Sequence, residues 1–293
     1  MPSPSSGVIP VDKPSGVTSR RVVDAVARAL GTAAVGHAGT LDPLATGVVV
    51  VCVGRATKLV DFIHSVPKHY AAFFALGRSS PSDDLETPLD VEPDPRRPSW
   101  AEIEAALPRF RGDILQRPCD YSAVHVGGQR AYRLARKGRE VTLEPKPVRI
   151  ERLEITAYEW PRLGLEITCS SGTFVRAIGR DLAAALGTTA VMESLVRTAV
   201  GPFTRAASLP LDGVAPDSCR AALLPPIAAV PLLPRHVLVG ESLDRAVRGG
   251  IVELPPGAAM SLAAVDESGE LVGILSRLES RGHRLRPNFR GAG

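Results

Sequence analysis

One stretch of the 293-residue chain presents a carboxylate in a setting suited to chemistry. It reads His37-Ala-Gly-Thr-Leu-Asp42-Pro43-Leu-Ala-Thr46-Gly47 and runs straight into an apolar segment at residues 48–53. Asp42 precedes a proline, which disfavours the helical region and holds the aspartate extended. Gly36, Gly39 and Gly47 permit tight turns and close approach of a ligand. A single carboxylate on a stiff loop entering a core strand could serve nucleophilic or acid–base chemistry. The plainer alternative is a turn aspartate capping its neighbours, and the residues alone leave both open. An aspartate-nucleophile phosphohydrolase would want a second aspartate two residues on and a magnesium site. Leu44 stands there instead.

The second chemically suggestive feature is charge. Between residues 129 and 149 lie seven bases (Arg130, Arg133, Arg136, Lys137, Arg139, Lys146 and Arg149) against Glu140 and Glu144, with Tyr132 among them. Such a run can track a phosphate backbone; it can equally be a solvated face. Six acids (Asp83, Asp84, Glu86, Asp90, Glu92 and Asp94) precede it. The net charge is +4, and lysine occurs only five times, so 30 of the 35 basic residues are arginine. Arginine suits forked contacts with phosphate, although a GC-rich genome produces the same usage without selection for binding. Aromatic residues at 4% argue against a platform of stacked rings for single strands.

Several classes fall away. No apolar run approaches the ~20 residues of a membrane-spanning helix. The opening MPSPSSGVIPVDKP lacks the basic and apolar segments of a secretory signal. Cys52, Cys119, Cys169 and Cys219 are scattered and form neither a zinc spacing nor a disulfide framework. A cytoplasmic protein with reduced thiols is the expectation. There is no phosphate-binding glycine loop and no HExxH pair, so neither a nucleotide nor a metal cofactor is expected.

The elements that must position Asp42 are mixed in type, without a βαβ rhythm or an internal repeat. SRRVVDAVARALG has helical spacing, with Thr18 or Ser19 as cap and Gly31 as stop. GVVVVCVG and LGLEITCS read as buried strands. SWAEIEAALPRF and FVRAIGRDLAAALG read as helices, while the overlapping CSSGTFVR reads as a strand with Phe174 and Arg176 on one face. Six prolines between residues 210 and 234 mark an irregular connector. Beyond it HVLVG, ESLDRAVRGG, IVELPPG and SLAAVDESGELVGILS suggest a small β-rich module. Its tail holds five arginines from residue 277 to 290, fit for phosphate contacts or simply a frayed terminus. The fold class expected is α+β.

GTLDPLATGVVVVCVGRATK resembles the signature of the TruB-type tRNA pseudouridine synthases, usually close to G-(T/A)-L-D-P-x-A-(T/S)-G. Other blocks agree in order across residues 7–200: VDKPSGVTS, KHYAAFFALG, YSAVHVGGQRAYRLARKG and CSSGTFVRAIGRDLAAALG. The resemblance implies a catalytic domain over residues 1–230, with a mixed, largely antiparallel sheet, flanking helices and an RNA-gripping insertion at about 109–150. Residues 231–293 would form a small PUA-like RNA-binding domain. The implied activity is cofactor-free isomerisation of the uridine at position 55 in the T loop of tRNA. The implied partner is the T-stem loop, met by a monomer, and a tRNA-folding role is compatible with it.

Roles follow by motif match. Asp42 matches the catalytic aspartate, by a covalent adduct or a glycal route. Arg176 in GTFVR matches the arginine paired with it. Tyr70 matches the ring packed on the target base, whose hydroxyl would relay a proton. Leu195 in ESLVR matches an apolar residue flooring the pocket, and Phe174, where the family usually has tyrosine, would pack beside the uracil and Tyr70. His37 matches the histidine that takes the space vacated by a flipped base. Lys13 matches a support of the active-site loop, and Asp84 the acid after the family's Leu-Gly. Arg130, Arg133 and Tyr132 fall in the insertion expected to grip phosphates.

Three departures stand out. LGRSSPSDD has Ser80-Pro81-Ser82 where Thr-Asp-Thr is frequent, which leaves hydrogen bonding there open. RPCDYSA has Cys119-Asp120 where a second proline and a variable residue are commoner. Phe174 replaces the usual tyrosine of GTYIR. Two rivals remain: a non-catalytic RNA-binding protein on the same scaffold, against which Asp42, Tyr70 and Arg176 together speak, and a guide-RNA-dependent relative, whose longer basic extensions this chain lacks.

Overall fold

The computed structural model describes residues 6–122, 124–126, 128–136, 143–255, 257–278 and 282–290, apart from the side chains of 125, 126, 130 and 135. The chain opens with β1 (Gly7–Lys13), α1 (Ser19–Leu30), β2 (Val35–His37) and β3 (Thr46–Val53). The Thr18 hydroxyl caps α1 by accepting from the Arg21 N–H, and Gly31 ends it at φ 63°. β1 and β3 pair antiparallel, Gly7 opposite Val53 and Lys13 opposite Gly47.

The unbroken apolar run of β3 has a simple cause: both of its faces are covered. Val49, Val51 and Val53 join Ile9 and Val11 in a core that includes Val22 and Val26 of α1. Val48, Val50 and Cys52 turn the other way and join Val8, Leu59 and Ile63. Period-two alternation thus feeds two cores from one strand.

Next come α2 (Val60–His64), β4 (Lys68–Leu76), the small pair β5 (Arg78–Ser79) and β6 (Asp90–Val91), and α3 (Trp100–Ala106). Ser99 and Glu102 form a capping box on α3. β7 (Gly112–Gln116) is followed by a hairpin of β8 (His125–Val126) and β9 (Gln129–Arg130), then α4 (Ala131–Ala135). β10 (Lys146–Glu159), β11 (Arg162–Cys169), α5 (Val175–Ala185) and β12 (Ala190–Val200) complete the centre, with β13 (Phe203–Thr204), β14 (Leu209–Pro210) and α6 (Pro216–Ala222) beyond.

Ten strands make one mixed sheet in the order β14-β1-β3-β12-β4-β11-β10-β7, with β13 on β12 and β2 on β3. Within this sheet, β1/β14 and β3/β12 are the parallel pairs and the other described pairs are antiparallel. Within the stretch 109–150, residues 112–116 and 146–150 are strands of this sheet, so the part that stands off it lies between them. The strand reading of CSSGTFVR is corrected. β11 stops at Cys169, Gly172 turns the chain at φ 84°, and Val175 already begins α5. The helical periodicity of VRAIGRDLAAA wins over the local β-branched and aromatic signal.

The proline-rich connector is not irregular throughout, since α6 lies within it with Pro216 in its first turn, and it is pinned back on β1, Val8 and Leu224 exchanging both backbone hydrogen bonds. After it, β15 (Arg235–Val237), α7 (Gly240–Val247), β16 (Ile251–Val252), β17 (Ser261–Val265), β18 (Leu271–Arg277) and β19 (His283–Asn288) build a separate five-stranded sheet, ordered β15-β17-β18-β19-β16. Asp266 closes the β17–β18 turn, its carboxylate accepting from the Ser268 and Glu270 N–H groups. Ala263, Leu271 and Ile274 of this sheet enter the same core as Val48, Val50 and Cys52. Arg277, Arg284, Arg286 and Arg290 of the tail are described, and Arg281 lies outside the described residues. Among the described residues no helix is long and apolar enough to cross a membrane.

Candidate active site

The Asp42 loop is strapped from below by the VDKPSGVTS segment. Lys13 is fully buried at the end of β1, and its ammonium donates to the carbonyls of Pro14, Val17 and Pro43 at 3.0, 2.7 and 3.3 Å. Ser15 donates to the Leu44 carbonyl at 3.0 Å, and the Ser19 hydroxyl accepts from the Leu41 N–H at 2.8 Å. At the far end Gly47, φ 103°, lies so close to β12 that a Cβ there would come within 2.2 Å of the Arg197 carbonyl oxygen. The loop is therefore fixed at both ends, and Asp42 has little freedom to move.

Opposite it stands Arg176, in the first turn of α5 and only 5% exposed. Its guanidinium meets the Asp42 carboxylate at 3.1 Å and that of Asp84 at 3.3 Å, and donates to the carbonyls of Ser82 at 2.7 Å and Tyr121 at 2.9 Å. Each of the three guanidinium nitrogens thus has a partner. Where Pro81 removes a donor, the hydroxyls of Ser80 and Ser82 secure the Asp84 backbone carbonyl at 2.6 and 3.3 Å. The Asp84 carboxylate also accepts from the Glu86 N–H at 2.9 Å. Cys119 is fully buried, and beside it Asp120 accepts from the Arg117 guanidinium at 2.7 Å. Two of the three departures from the family pattern thus have local partners.

Asp42 and Arg176 border a cavity of about 520 Å³ that is also lined by Tyr70, Phe174, Leu195, Tyr132, Lys68 and Arg197. Tyr70 comes from β4 and Leu195 from β12, paired directly across from Ala72. Phe174 is the N-cap residue of α5. Its backbone N–H donates to the Gln116 side-chain oxygen at 2.8 Å and its carbonyl accepts from the Gln116 amide at 3.1 Å. This paired contact sets the ring at the rim independently of any hydroxyl. Phe174→Tyr is therefore expected to turn over within about threefold of wild type, and Phe174→Ala to lose more than about tenfold as water gains access. Single-turnover rates on one transcript of the tRNA that the resemblance implies check this; a large gain for tyrosine or no loss for alanine overturns the packing role.

Electrostatics follow from burial. The Asp42 carboxyl is pushed above its ordinary range by burial, which Arg176 opposes and Asp84 reinforces. Burial lowers Lys13 to about 8, against the pull of Asp42, and lowers Lys68 to about 8. The Tyr70 hydroxyl is driven up by burial and drawn back by Arg197.

The remaining sequence candidates are placed differently. Asp84 sits behind Arg176, and Lys13 lies under the loop. His37 is on β2 opposite Val51 and is not among the cavity-lining residues; its buried Nδ1 has no hydrogen-bond partner. Arg133 is exposed on α4, its Nε donating to the Tyr132 hydroxyl at 3.3 Å, and does not line the cavity. The Arg130 side chain, Lys137 and Arg139 lie outside the described residues. Arg136 does line it, pairing with Glu86 and lying 5.6 Å over the Tyr132 ring. Sequence reasoning passed over Gln116, Lys68 and Arg197. Arg197 was findable: two residues after Leu195 on a strand, it shares that residue's face. Among the described residues no group of three His, Cys, Asp or Glu side chains could hold a metal ion.

Comparison with known proteins bears on this site as a whole. The N-terminal domain of the TruB family pseudouridylate synthases matches residues 27–175, which include Asp42 and Tyr70. The tRNA pseudouridine synthase B of Mycobacterium tuberculosis (strain ATCC 25618 / H37Rv) is 39% identical over 286 residues, covering 96% of this chain and 95% of its own. That of Caulobacter sp. (strain K31) is 42% identical over 270 residues, 90% of this chain and 87% of its own. Two solved structures share the fold. An H/ACA RNP bound to a substrate RNA containing 2′-deoxyuridine superposes with a TM-score of 0.73 at 22% identity, covering 97% of this chain and 84% of that one. The archaeal box H/ACA sRNP Nop10-Cbf5 complex does so with a TM-score of 0.73 at 22% identity, covering 99% and 88%. With a family match over half its residues and relatives of this identity along nearly its full length, the chain belongs to the TruB family of pseudouridylate synthases.

Proposed function

We propose that this chain isomerises uridine to pseudouridine at position 55 in the T loop of tRNA, as a cytoplasmic monomer, with Asp42 as the carboxylate that acts on the target sugar. The observation that carries the reading is the Asp42 carboxylate held 3.1 Å from Arg176 at the edge of a cavity that Tyr70 also lines. Every group named for the chemistry comes from one chain. The relatives named tRNA pseudouridine synthase B supply the choice of tRNA.

The reaction is a rearrangement within one nucleoside. The bond between N1 and C1′ breaks, the uracil turns, and a bond forms between C5 and C1′. The proton lost from C5 is balanced by one gained at N1, so no redox partner or nucleotide is required. Asp42 in its ionised form meets C1′ or the 2′ proton, and Arg176 keeps it charged although burial favours the neutral acid. Tyr70 packs on the base and its hydroxyl relays the C5 proton. Leu195 and Phe174 exclude water, which would otherwise capture the sugar and release free uracil. A stacked base must first leave the loop at a cost of a few kcal/mol, and His37 takes its place. Arg130, Arg133 and Tyr132 hold the T-loop backbone, positioning rather than reading it. Residues 231–293 act as a PUA-like RNA-binding domain after a catalytic domain of residues 1–230, and a tRNA-folding role accompanies catalysis.

The test is incubation of the purified protein with an unmodified tRNA transcript, followed by mapping of pseudouridine. Product at position 55 of the T loop supports the reading, and its absence on several transcripts ends it. The charge requirement adds a pH signature. Activity is lost as pH falls through the raised pKa of Asp42, so the acid limb of the single-turnover profile is expected above the ordinary carboxylate value of 3.8. Asp84→Asn removes a like charge and is expected to move that limb to lower pH. A limb that stays put, or moves up, removes this account of Asp42.

A further inference from the structure

Arg197 is a buried cation with no carboxylate partner among the described residues. Its side chain is 2% exposed, yet it borders the cavity. The nearby charged groups it acts on include Lys13, Lys68 and His37, each of whose protonated forms it disfavours. Burying a guanidinium without a counter-charge is costly unless its donors are satisfied and the charge is put to use. Two of the donors are satisfied in a telling way. Nε donates to the Val48 carbonyl at 2.7 Å and a terminal nitrogen to the Gly39 carbonyl at 3.1 Å, so the side chain grips the Asp42 loop at both ends. Its charge also bears on the Tyr70 hydroxyl and favours the ionised form. The sheet register makes this possible: on β12, Arg197 stands opposite Tyr70 of β4 on one side and Gly47 of β3 on the other.

We infer that Arg197 is a positioning residue for the isomerisation, its guanidinium fixing the Tyr70 hydroxyl at the cavity wall and steadying the negative charge that crosses that hydroxyl. The inference rests on the reading of Tyr70 as proton relay. Once the bond between C5 and C1′ exists, C5 gives its proton to the tyrosine oxygen as the hydroxyl passes its own proton on to N1, and tyrosine ends unchanged. Between these transfers the oxygen carries partial negative charge in a buried site. A fixed cation there stabilises it without reorganisation, because no water has to turn. Burial works against charge on Tyr70 and Arg197 works for it.

A double-mutant cycle tests this, with single-turnover rates at saturating tRNA transcript and tRNA affinity measured for each variant. Arg197→Gln is expected to slow turnover about 100-fold while tRNA affinity stays within about threefold. Arg197→Lys, which keeps the charge but not the fork, is expected to recover to within about tenfold of wild type. In a Tyr70→Phe background, Arg197→Gln is expected to cost less than about threefold more, because the group it serves is gone. If Tyr70→Phe is slow and the double variant loses the full hundredfold again, Arg197 acts elsewhere and the inference fails alone. If Tyr70→Phe turns over like wild type, the relay reading fails and takes the inference with it. Should the glutamine variant be insoluble, the Lys variant serves in the same cycle: its smaller loss is expected to vanish beside Tyr70→Phe, and persistence of that loss overturns the inference.

Discussion

Asp42→Asn is expected to leave no measurable pseudouridine, a loss of about 10⁴-fold or more in single-turnover rate, while tRNA affinity stays within about threefold. The amide keeps the size and shape of the side chain, and the loop beneath is held by Lys13, Ser15 and Ser19 rather than by the carboxylate. What disappears is charge at one point. The same reasoning gives a stability sign. Because burial raises the Asp42 pKa despite Arg176, its ionised form is strained in the folded protein at neutral pH. The asparagine variant is therefore expected to melt no lower than wild type, as is common where a site is built for chemistry rather than stability. Product from the asparagine variant at an appreciable rate would show that another group does the work assigned here to Asp42.

Arg176→Ala is expected to cost roughly 10²- to 10³-fold in turnover and to destabilise the fold by about 3–5 kcal/mol. Both follow from the contacts of one side chain. Arg176 stands between Asp42 and Asp84 and closes on the carbonyls of Ser82 and Tyr121. Without it, the buried Asp84 carboxylate and the partly exposed Asp42 carboxylate share one site unneutralised, and at least one takes up a proton. Arg176→Lys is expected to rescue only in part, since a point charge cannot bridge two carboxylates and two carbonyls at once. Melting temperature and single-turnover rate on the same preparations separate the two losses. Full activity in the alanine variant would mean that Asp42 keeps its charge without a partner.

Much of this site was legible in the residues, and for identifiable reasons. Asp42 could be read because proline and glycine constrain backbone locally, which a linear sequence records. β3 could be read because a strand covered on both faces is apolar throughout. Arg176 could be paired with Asp42 only through resemblance, because 134 residues separate them and the contact exists only after α5 docks. The conformation of residues 170–175 was misread for a related reason. Thr173, Phe174 and Val175 favour strand individually, but Val175 belongs to the α5 face that buries Ile178, Leu182 and Ala183, and Phe174 becomes its N-cap residue. Gln116 was invisible: nothing about a glutamine at the end of a strand announces that its amide will hold the backbone of Phe174, 58 residues on.

The even-numbered valines of β3 have a consequence for how an RNA could be held. Val48 and Val50, in the strand that leaves the Asp42 loop, share one core with Ala263, Leu271 and Ile274 of the C-terminal sheet. Two bodies joined through a common apolar core lack the hinge that a mere linker would give them. The proline-rich connector, tied to β1 through Val8 and Leu224, stiffens the join further. The molecule then behaves as a caliper with one fixed jaw: a nucleic acid that docked on the C-terminal sheet would meet Asp42 at a set distance and angle. Selection among uridines would rest on reach, with the span between two sheets deciding which nucleoside arrives at the carboxylate.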